Sequence, residues 1–484
     1  MNSGSHTPAD RIERHVWLVA AVVVLGTVAS ILATTIVNVA IERLSVELHS
    51  PLEEIQWVST GYLLGLAAVI PITGWLARRT GAKRAYLASL SAFVLASVLC
   101  ALAWSAPSLI AFRVLQGVAG GVTLPLGQMM LATAAGPRRM GRVMSVVGVP
   151  MVLGPVLGPA MGGLLLDHLS WHWIFVMNVP LGLLGLALGI RLLPDTRPEE
   201  AGPLDLRGLV LLAGGLPLLL YGLAEAGGHG GFASAGVLGP VAAGVLLLAA
   251  FVAHAARAES PLLDVRLFTR GGFSAAATAT FFTGAALYGA MILLPLYFQV
   301  VRGESALTAG LLLAPQGIGA GLAMPLAGRL ADRVGGGRVA VVGIVLTVLG
   351  TLPLAAVTAA TSYWDISAAL VVRGLGIGAA IMPLMAAAYA TLDRSDIPHA
   401  TPQLNVLQRV GGSVGTALLT VVLSQRLADA QAGPAQLAGA FGHAYVWATL
   451  IAALAVLPAL ALARIERPAP AVRAPAPELD AAAA

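Results

Sequence analysis

Lysine occurs once in this 484-residue sequence, at Lys83, and cysteine once, at Cys100. A lone cysteine permits no internal disulfide. A lone lysine followed by Arg84 permits no G-x-x-x-x-G-K-[ST] loop, which excludes a P-loop ATPase within the chain. Charge of either sign is scarce: 11% of residues are Asp, Glu, Lys or Arg, where a soluble domain carries about a quarter. Aromatic residues make up only 6%. In their place stand aliphatic residues: 58% of the chain is hydrophobic, too much for an ordinary soluble protein.

The apolar residues fall into fourteen long runs: 16–40, 55–77, 85–103, 109–132, 143–166, 173–193, 206–223, 237–253, 273–298, 311–330, 339–357, 366–390, 406–423 and 445–463. A bilayer core needs about 20 apolar residues per helix, so the expected class is an all-α polytopic membrane protein with fourteen transmembrane helices. The first run is too long for a cleaved signal and lacks a small-residue cleavage site. With the N-terminus inside, three basic residues lie within spans and three on outer loops (Arg43, Arg302, Arg426). That leaves 22 of the 28 on the inner side. A missed span would scramble this asymmetry, so both termini are expected in the cytoplasm. The net charge of +5 follows from that topology and requires no nucleic-acid partner. Arginine in large excess over lysine, with abundant alanine, points to a GC-rich bacterial genome and hence to a bacterial inner membrane.

An internal repeat sets the organisation. "PITGWLARRTGAKR" (71–84) and "PLAGRLADRVGGGR" (325–338) agree at seven of fourteen positions, and each follows an even-numbered span, the second and the tenth. Arg113 in the fourth span is echoed by Arg373 in the twelfth. A displacement of eight spans fits two six-span halves separated by two extra helices. The expected segments are a cytoplasmic stretch at 1–15, a first bundle at 16–193, a linker with the extra pair at 194–256, a second bundle at 257–464, and a Pro/Ala-rich disordered tail at 465–484.

The inner-gate loops supply Gly74, Arg78, Arg79, Gly81 and Arg84 in the first copy and Gly328, Asp332, Arg333 and Gly335 in the second. Cations there serve topology whatever the function; repetition and glycine spacing point further, to a latch on an inner gate. "GVPMVLGPVLGPAMGG" (148–163) sets Gly154, Gly158 and Gly162 on one helix face, where small residues let helices touch. Pro155 and Pro159 add bends, so the segment reads as a hinge rather than plain packing. Arg113, Arg373 and Arg409 are cations inside spans and should face the bundle interior or water. A cavity role is favoured for Arg113 and Arg373. For Arg409, near the expected cytoplasmic end of its span, a structural role weighs equally. Thr34, Thr35, Asn38, Gln116, Gln128, Gln299, Gln316, Asn405 and Gln408 either glue helices together or line a cavity. His168 and His172 have metal-ligand spacing, but no further ligands lie nearby, so no metal site is expected.

These residues resemble the major facilitator superfamily, in its fourteen-span drug:proton antiporter branch. "TTIVNVAI" is similar to that branch's first-span signature, "GWLARRTGAKR" and "GRLADRVGGGR" to its inner-loop motif, "RVLQGVAGG" (113–121) to its fourth-span motif and "GPVLGPAMGG" to its antiporter motif. "WHWIFVMNVPLG" (171–182) is similar to the opening of its sixth span. The resemblance implies a fold of two six-helix bundles around a cavity. It also implies export of amphipathic compounds by alternating access, driven by a proton gradient without any cofactor, in a monomer. Thr34, Thr35, Asn38, Arg113, Gln116 and Arg373 would serve the cavity and coupling. Gly154, Pro155, Gly158, Pro159 and Gly162 would form the hinge.

Two positions depart from the family pattern. Arg78 stands where an aspartate is usual in the first inner loop, although Asp332 keeps it in the second. Ala33 stands where the first-span signature usually carries aspartate. None of the 23 acidic residues falls in the middle third of a span. Coupling, if present, would use a peripheral acid such as Glu225 or Asp332 together with Arg113, and the cavity should favour neutral or anionic substrates. The alternatives are a facilitator without proton coupling, or a membrane receptor that no longer transports. An enzyme is not expected, because the short loops hold no nucleophile–base pair.

Overall fold

Within hydrocarbon, backbone amides find no water, so each apolar run must close its hydrogen bonds as helix. The computed structural model describes residues 13–466 except 137–138, 196–197, 199–201, 229–230 and 430–432. Thirteen helices among the described residues are long and apolar enough to cross a bilayer. They are Arg14–Val39, Leu52–Thr80, Ala82–Ala101, Ala106–Ala135, Trp173–Leu192, Leu206–Ala226, Ala235–Ala255, Gly271–Val300, Thr308–Val334, Gly336–Ala356, Tyr363–Ala390, Ile397–Ala428 and Ala435–Ile465. Between the fourth and fifth of these runs a further 29-residue helix, Met140–His168. Counting it, the spans are numbered 1 to 14 in chain order, one for each expected run. Of the expected terminal segments 1–15 and 465–484, residues 1–12 and 467–484 lie outside the described residues.

The helices overrun the apolar runs, most of all in span 13. Its run begins at Val406, whereas the helix begins at Ile397. The added turns carry Thr401, Gln403 and Asn405, each under 5% exposed. Hydropathy marks the part of a helix that meets lipid; it is blind to a polar turn buried in protein. Arg409 is therefore twelve residues, roughly 18 Å, along its helix rather than at the cytoplasmic edge.

The sequence repeat is a structural one. Span 2 ends on Gly81 at φ 85°, ψ 138°, and span 10 ends on Gly335 at φ 98°, ψ 140°. Only glycine occupies that region without strain, so the same turn is built twice from the same residue. Span 4 lies between spans 2 and 3, and span 12 between spans 10 and 11. Across the molecule, span 2 meets span 13 and span 10 meets span 5, so each pair maps onto the other when eight is added to the N-terminal member and taken from the C-terminal one. Both contacts are glycine-tight: a Cβ on Gly74 would lie 2.1 Å from the Pro398 carbonyl oxygen, and one on Gly328 would lie 2.6 Å from that of Gly141.

The largest apolar cluster lies at this same end and draws side chains from spans 1, 2, 3, 4, 5, 9, 11, 12, 13 and 14. Six methionines sit in it: Met129, Met130, Met140, Met144, Met382 and Met385. Unbranched and polarizable, methionine repacks at low cost, which suits a seal that must break and re-form. Spans 7 and 8 pack on each other, and span 7 also rests against spans 2 and 13.

Candidate functional site

The sealed end is latched twice, with different chemistry in each copy. In the second copy the Asp332 carboxylate accepts from the Gly141 backbone N–H at 2.9 Å and from Arg142 Nε at 3.0 Å. Its side chain is 4% exposed. It thereby caps the start of span 5, where a carboxylate is favoured by the helix dipole. In the first copy Arg78 occupies the matching position, and its Nη1 lies 2.9 Å from His399 Nε2 on the first turn of span 13. Arg79, Arg84 and Arg333 are exposed, and Gly74, Gly81 and Gly328 are buried at the turns. A second symmetric pair flanks them. Asp195, after span 6, meets Lys83 at 2.9 Å. Glu466, after span 14, accepts from Gly336 N and Gly337 N at 2.9 and 2.6 Å.

Above the latches lies an uncharged floor. Asn405 Nδ2 of span 13 donates to Gln128 Oε1 of span 4 at 2.7 Å, and Gln128 Nε2 reaches Met385 Sδ of span 12 at 3.9 Å. Gln128 and Asn405 are 1% and 3% exposed.

Span 13 has three faces, and two are occupied. Val406, Val410 and Val414 pack toward span 7. Gly411 and Gly415 press on the carbonyls of Phe281 and Ala285 in span 9. The third face begins at Asn405, which points across to span 4, and continues at helical spacing through Arg409, Ser413, Thr416 and Thr420. The last four are half-buried. Among the described residues, no hydrogen bond or ion pair engages their side chains. The Arg409 guanidinium is within electrostatic reach of Tyr62 in span 2 and Tyr288 in span 9. The Tyr288 ring covers Gly412, where a Cβ would come within 2.7 Å of it. The sequence carried a signal for this stripe, polar residues at i, i+4, i+8, i+11 and i+15; Asn405 and Arg409 stand out in it, whereas Ser413, Thr416 and Thr420 pass unnoticed as small hydroxyls that any membrane helix carries.

The other arginines are sealed. Arg113 is 0% exposed; its Nε donates to Val58 O at 2.9 Å and its Nη1 to Gln116 Oε1 at 2.6 Å. Gln116 Nε2 in turn donates to Ser97 Oγ at 2.7 Å. The Arg113 guanidinium stacks 4.2 Å from the Tyr62 ring centroid. Arg373, 2% exposed, donates to Gln316 Oε1. Both arginines are held by neutral oxygens, and Arg113 Nη2 and Arg373 Nε lack partners among the described residues.

The first-span polar stripe divides. Thr34 Oγ1 donates back to Ser30 O at 2.9 Å, and Thr35 Oγ1 lies 3.3 Å from Gly154 O on span 5. Asn38 Oδ1 accepts from Ser59 of span 2 at 2.9 Å. Gly154, Gly158 and Gly162 face Ile31, Thr35 and Ile36 closely, so the glycine row is the seam between spans 1 and 5. The side chains of Pro155 and Pro159 lie outside the described residues. Ala33 is 1% exposed in an apolar cluster with Ala29, Tyr62 and Phe93.

Among the described residues, the charged residues buried as a whole are Arg113 and Arg373; the carboxylates with buried side chains, Asp332 at 4% and Asp205 at 8% exposed, sit at the latch and ahead of span 7. Glu225 of span 7 lies beside Tyr221, whose ring stacks on Trp57 of span 2 at 5.6 Å. Among the described residues no three His, Cys, Asp or Glu side chains cluster to hold a metal.

Known proteins share both sequence and shape. The profile of the Major Facilitator Superfamily matches residues 23–416. The multidrug resistance protein B homolog of Mycobacterium tuberculosis (strain ATCC 25618 / H37Rv) is 41% identical over 425 residues, 87% of this chain and 79% of that protein. The tetracenomycin C resistance and export protein of Streptomyces glaucescens is 30% identical over 430 residues, 88% of this chain and 79% of that one. Among solved structures, the human organic anion transporter MFSD10 (TETRAN) superposes with a TM-score of 0.66 at 17% identity. It covers 93% of this chain and 100% of its own, a likeness of fold.

Proposed function

The chain belongs to the major facilitator superfamily, and on that premise we propose that it exports small amphipathic compounds, drugs or natural products, by alternating access. It is a transporter rather than an enzyme, a multi-pass protein of the bacterial inner membrane whose relatives include multidrug and antibiotic efflux proteins. One observation carries the reading. The halves meet at the loop end through the symmetric contacts of spans 2 with 13 and 5 with 10, span 5 also touches the outer start of span 10, and the half-buried polar stripe of span 13 begins at Arg409, about three turns beyond the Pro398 contact. The closed end holds the loops after spans 2, 4, 10 and 12, where the basic residues concentrate, which supports placing it and both termini in the cytoplasm. The repeat supports bundles at 16–193 and 257–464 with the linker and extra pair at 194–256, complete within a monomer.

For energy coupling we favour Asp332 over Glu225. Protonating Asp332 removes its charge and with it the Arg142 ion pair, leaving one carbonyl oxygen to accept, at a contact that must open, whereas Glu225 lies on the extra span 7 beside Tyr221. Arg113 then acts through Tyr62, whose hydroxyl donates to Ser30 O of span 1 at 3.1 Å. The confinement of buried carboxylate side chains, among the described residues, to the latch and the segment ahead of span 7 favours one second reading, a facilitator that needs no proton gradient. Inverted membrane vesicles separate the two. Accumulation of a fluorescent amphiphile that stops when the pH gradient is collapsed supports antiport. Accumulation that merely equilibrates, and ignores the gradient, supports the facilitator.

A further inference from the structure

We propose that the Arg409 stripe of span 13 is a recognition site for an acidic group on the substrate, so that this exporter selects amphiphilic anions; the inference rests on the export reading above. Arginine stays protonated in any protein setting, and a half-desolvated cation calls for a counter-charge. Arg409 has neither an ion pair nor a hydrogen bond among the described residues. The floor beneath it, Gln128 with Asn405, is neutral, and its electrostatic neighbours are the phenols of Tyr62 and Tyr288. Its buried cationic companions Arg113 and Arg373 are likewise unneutralised by any carboxylate described. The charge is therefore available to a ligand.

The rest of the stripe defines what else the ligand offers. Ser413, Thr416 and Thr420 continue outward from Arg409 on the same face. Eleven residues of helix span about 16 Å, enough to run along the whole edge of a fused multi-ring ligand. Hydroxyls donate and accept, so they accept variety along the ligand while Arg409 fixes one end. The matching chemistry is a flat amphiphile with a carboxylate, phenolate or sulfonate at its inner end and oxygen atoms along its edge. A permanent cation would meet Arg409 with no acid to offset it.

The test uses three xanthene dyes of similar size: a carboxylate-bearing anion, its neutral amide and a cationic rhodamine. Binding is measured by fluorescence polarisation on the full chain in lipid nanodiscs, and transport separately in inverted vesicles. The expected result is anion binding at least tenfold tighter than cation binding. Arg409→Gln should weaken the anion at least tenfold and the neutral amide less than twofold, with Arg409→Lys intermediate. Equal or tighter binding of the rhodamine by the native chain, no binding of the anion at all, or a parallel loss of anion and amide in Arg409→Gln would overturn the proposal. Selective binding without movement in vesicles would leave this site standing and remove the export reading instead.

Discussion

Ala33 is the residue at which the chain parts from its family resemblance, and its surroundings say why an acid no longer fits. It is 1% exposed and packs among Ala29, Tyr62 and Phe93. Ala33→Asp would place a carboxyl group in an apolar cluster, where an unpaired polar group costs about 1–3 kcal/mol or more. The unfolding midpoint in detergent should fall by several degrees, and Ala33→Val, similar in polarity, should shift it less. At the inner turn the determining residue is a glycine. Gly81 holds φ 85°, ψ 138°, a region that costs any other residue of order 1–3 kcal/mol. Gly81→Ala should lower stability by about that much in a thermal-shift assay. Gly163→Ala, where an added Cβ meets nothing within 4 Å, should be neutral or mildly stabilising. A result in the reverse order would remove the conformational argument.

Elements were legible in the sequence in proportion to how much of each meets lipid. All fourteen runs became helices, and the seven matching positions of 71–84 and 325–338 became two superposable turns. The failure at the start of span 13 has a plain cause. Thr401, Gln403 and Asn405 are polar because their partners are protein: Asn405 bonds Gln128, a residue 277 positions away. No local pattern can reveal such a partner. The same blindness set Arg409, legible as a cation within its span, at the cytoplasmic end rather than deep in the helix, while Arg113 and Arg373, readable from their repeat, turned out to be sealed by Gln116 and Gln316. A tether between elements was also unreadable. Asp205, ahead of span 7, accepts from Gly208 N at 2.8 Å, His254 Nε2 of span 8 at 2.8 Å and Leu262 N at 3.1 Å. Burial pushes its carboxyl upward, but these three donors outweigh it and hold the group below the usual carboxylate range. A depressed carboxylate contributes stability that is complete above the unfolded value, about 3.9, and is lost as pH falls through the folded one. The Asp205 contribution to the tether should therefore be complete from about pH 5 upward and be lost only below about 4. Asp205→Asn should loosen it at neutral pH, seen as faster proteolysis of the segment between spans 8 and 9. Unchanged cleavage would mean that helix packing alone holds the extra pair in place.

At the scale of the whole molecule, a two-fold plan has been made unequal at its gate. Spans 5 and 10 are joined by Asp332, which caps a helix start and pairs with Arg142 at 3.0 Å. Spans 2 and 13 are joined at the equivalent point by Arg78, a cation set against the first turn of span 13, with His399 among its contacts. Helix starts carry partial positive charge, so a carboxylate there gains roughly 0.3–1 kcal/mol and an arginine forfeits it. The gate should thus open first where spans 2 and 13 meet and be held last by Asp332. Loss of charge-assisted hydrogen bonds costs about 1.5–3 kcal/mol each, so Asp332→Asn should raise the open population by about tenfold or more. Thr401, 0% exposed in the seal, can report this as Thr401→Cys, since the native Cys100 is also buried. In inverted vesicles a membrane-impermeant maleimide should label the reporter severalfold faster in Asp332→Asn than in the parent. Arg78→Asp, which restores a carboxylate to the weak contact, should slow the labelling below the parent rate. If both variants sped it equally, Arg78 would be as much a latch as Asp332, and the gate would be symmetric in energy despite its unlike residues.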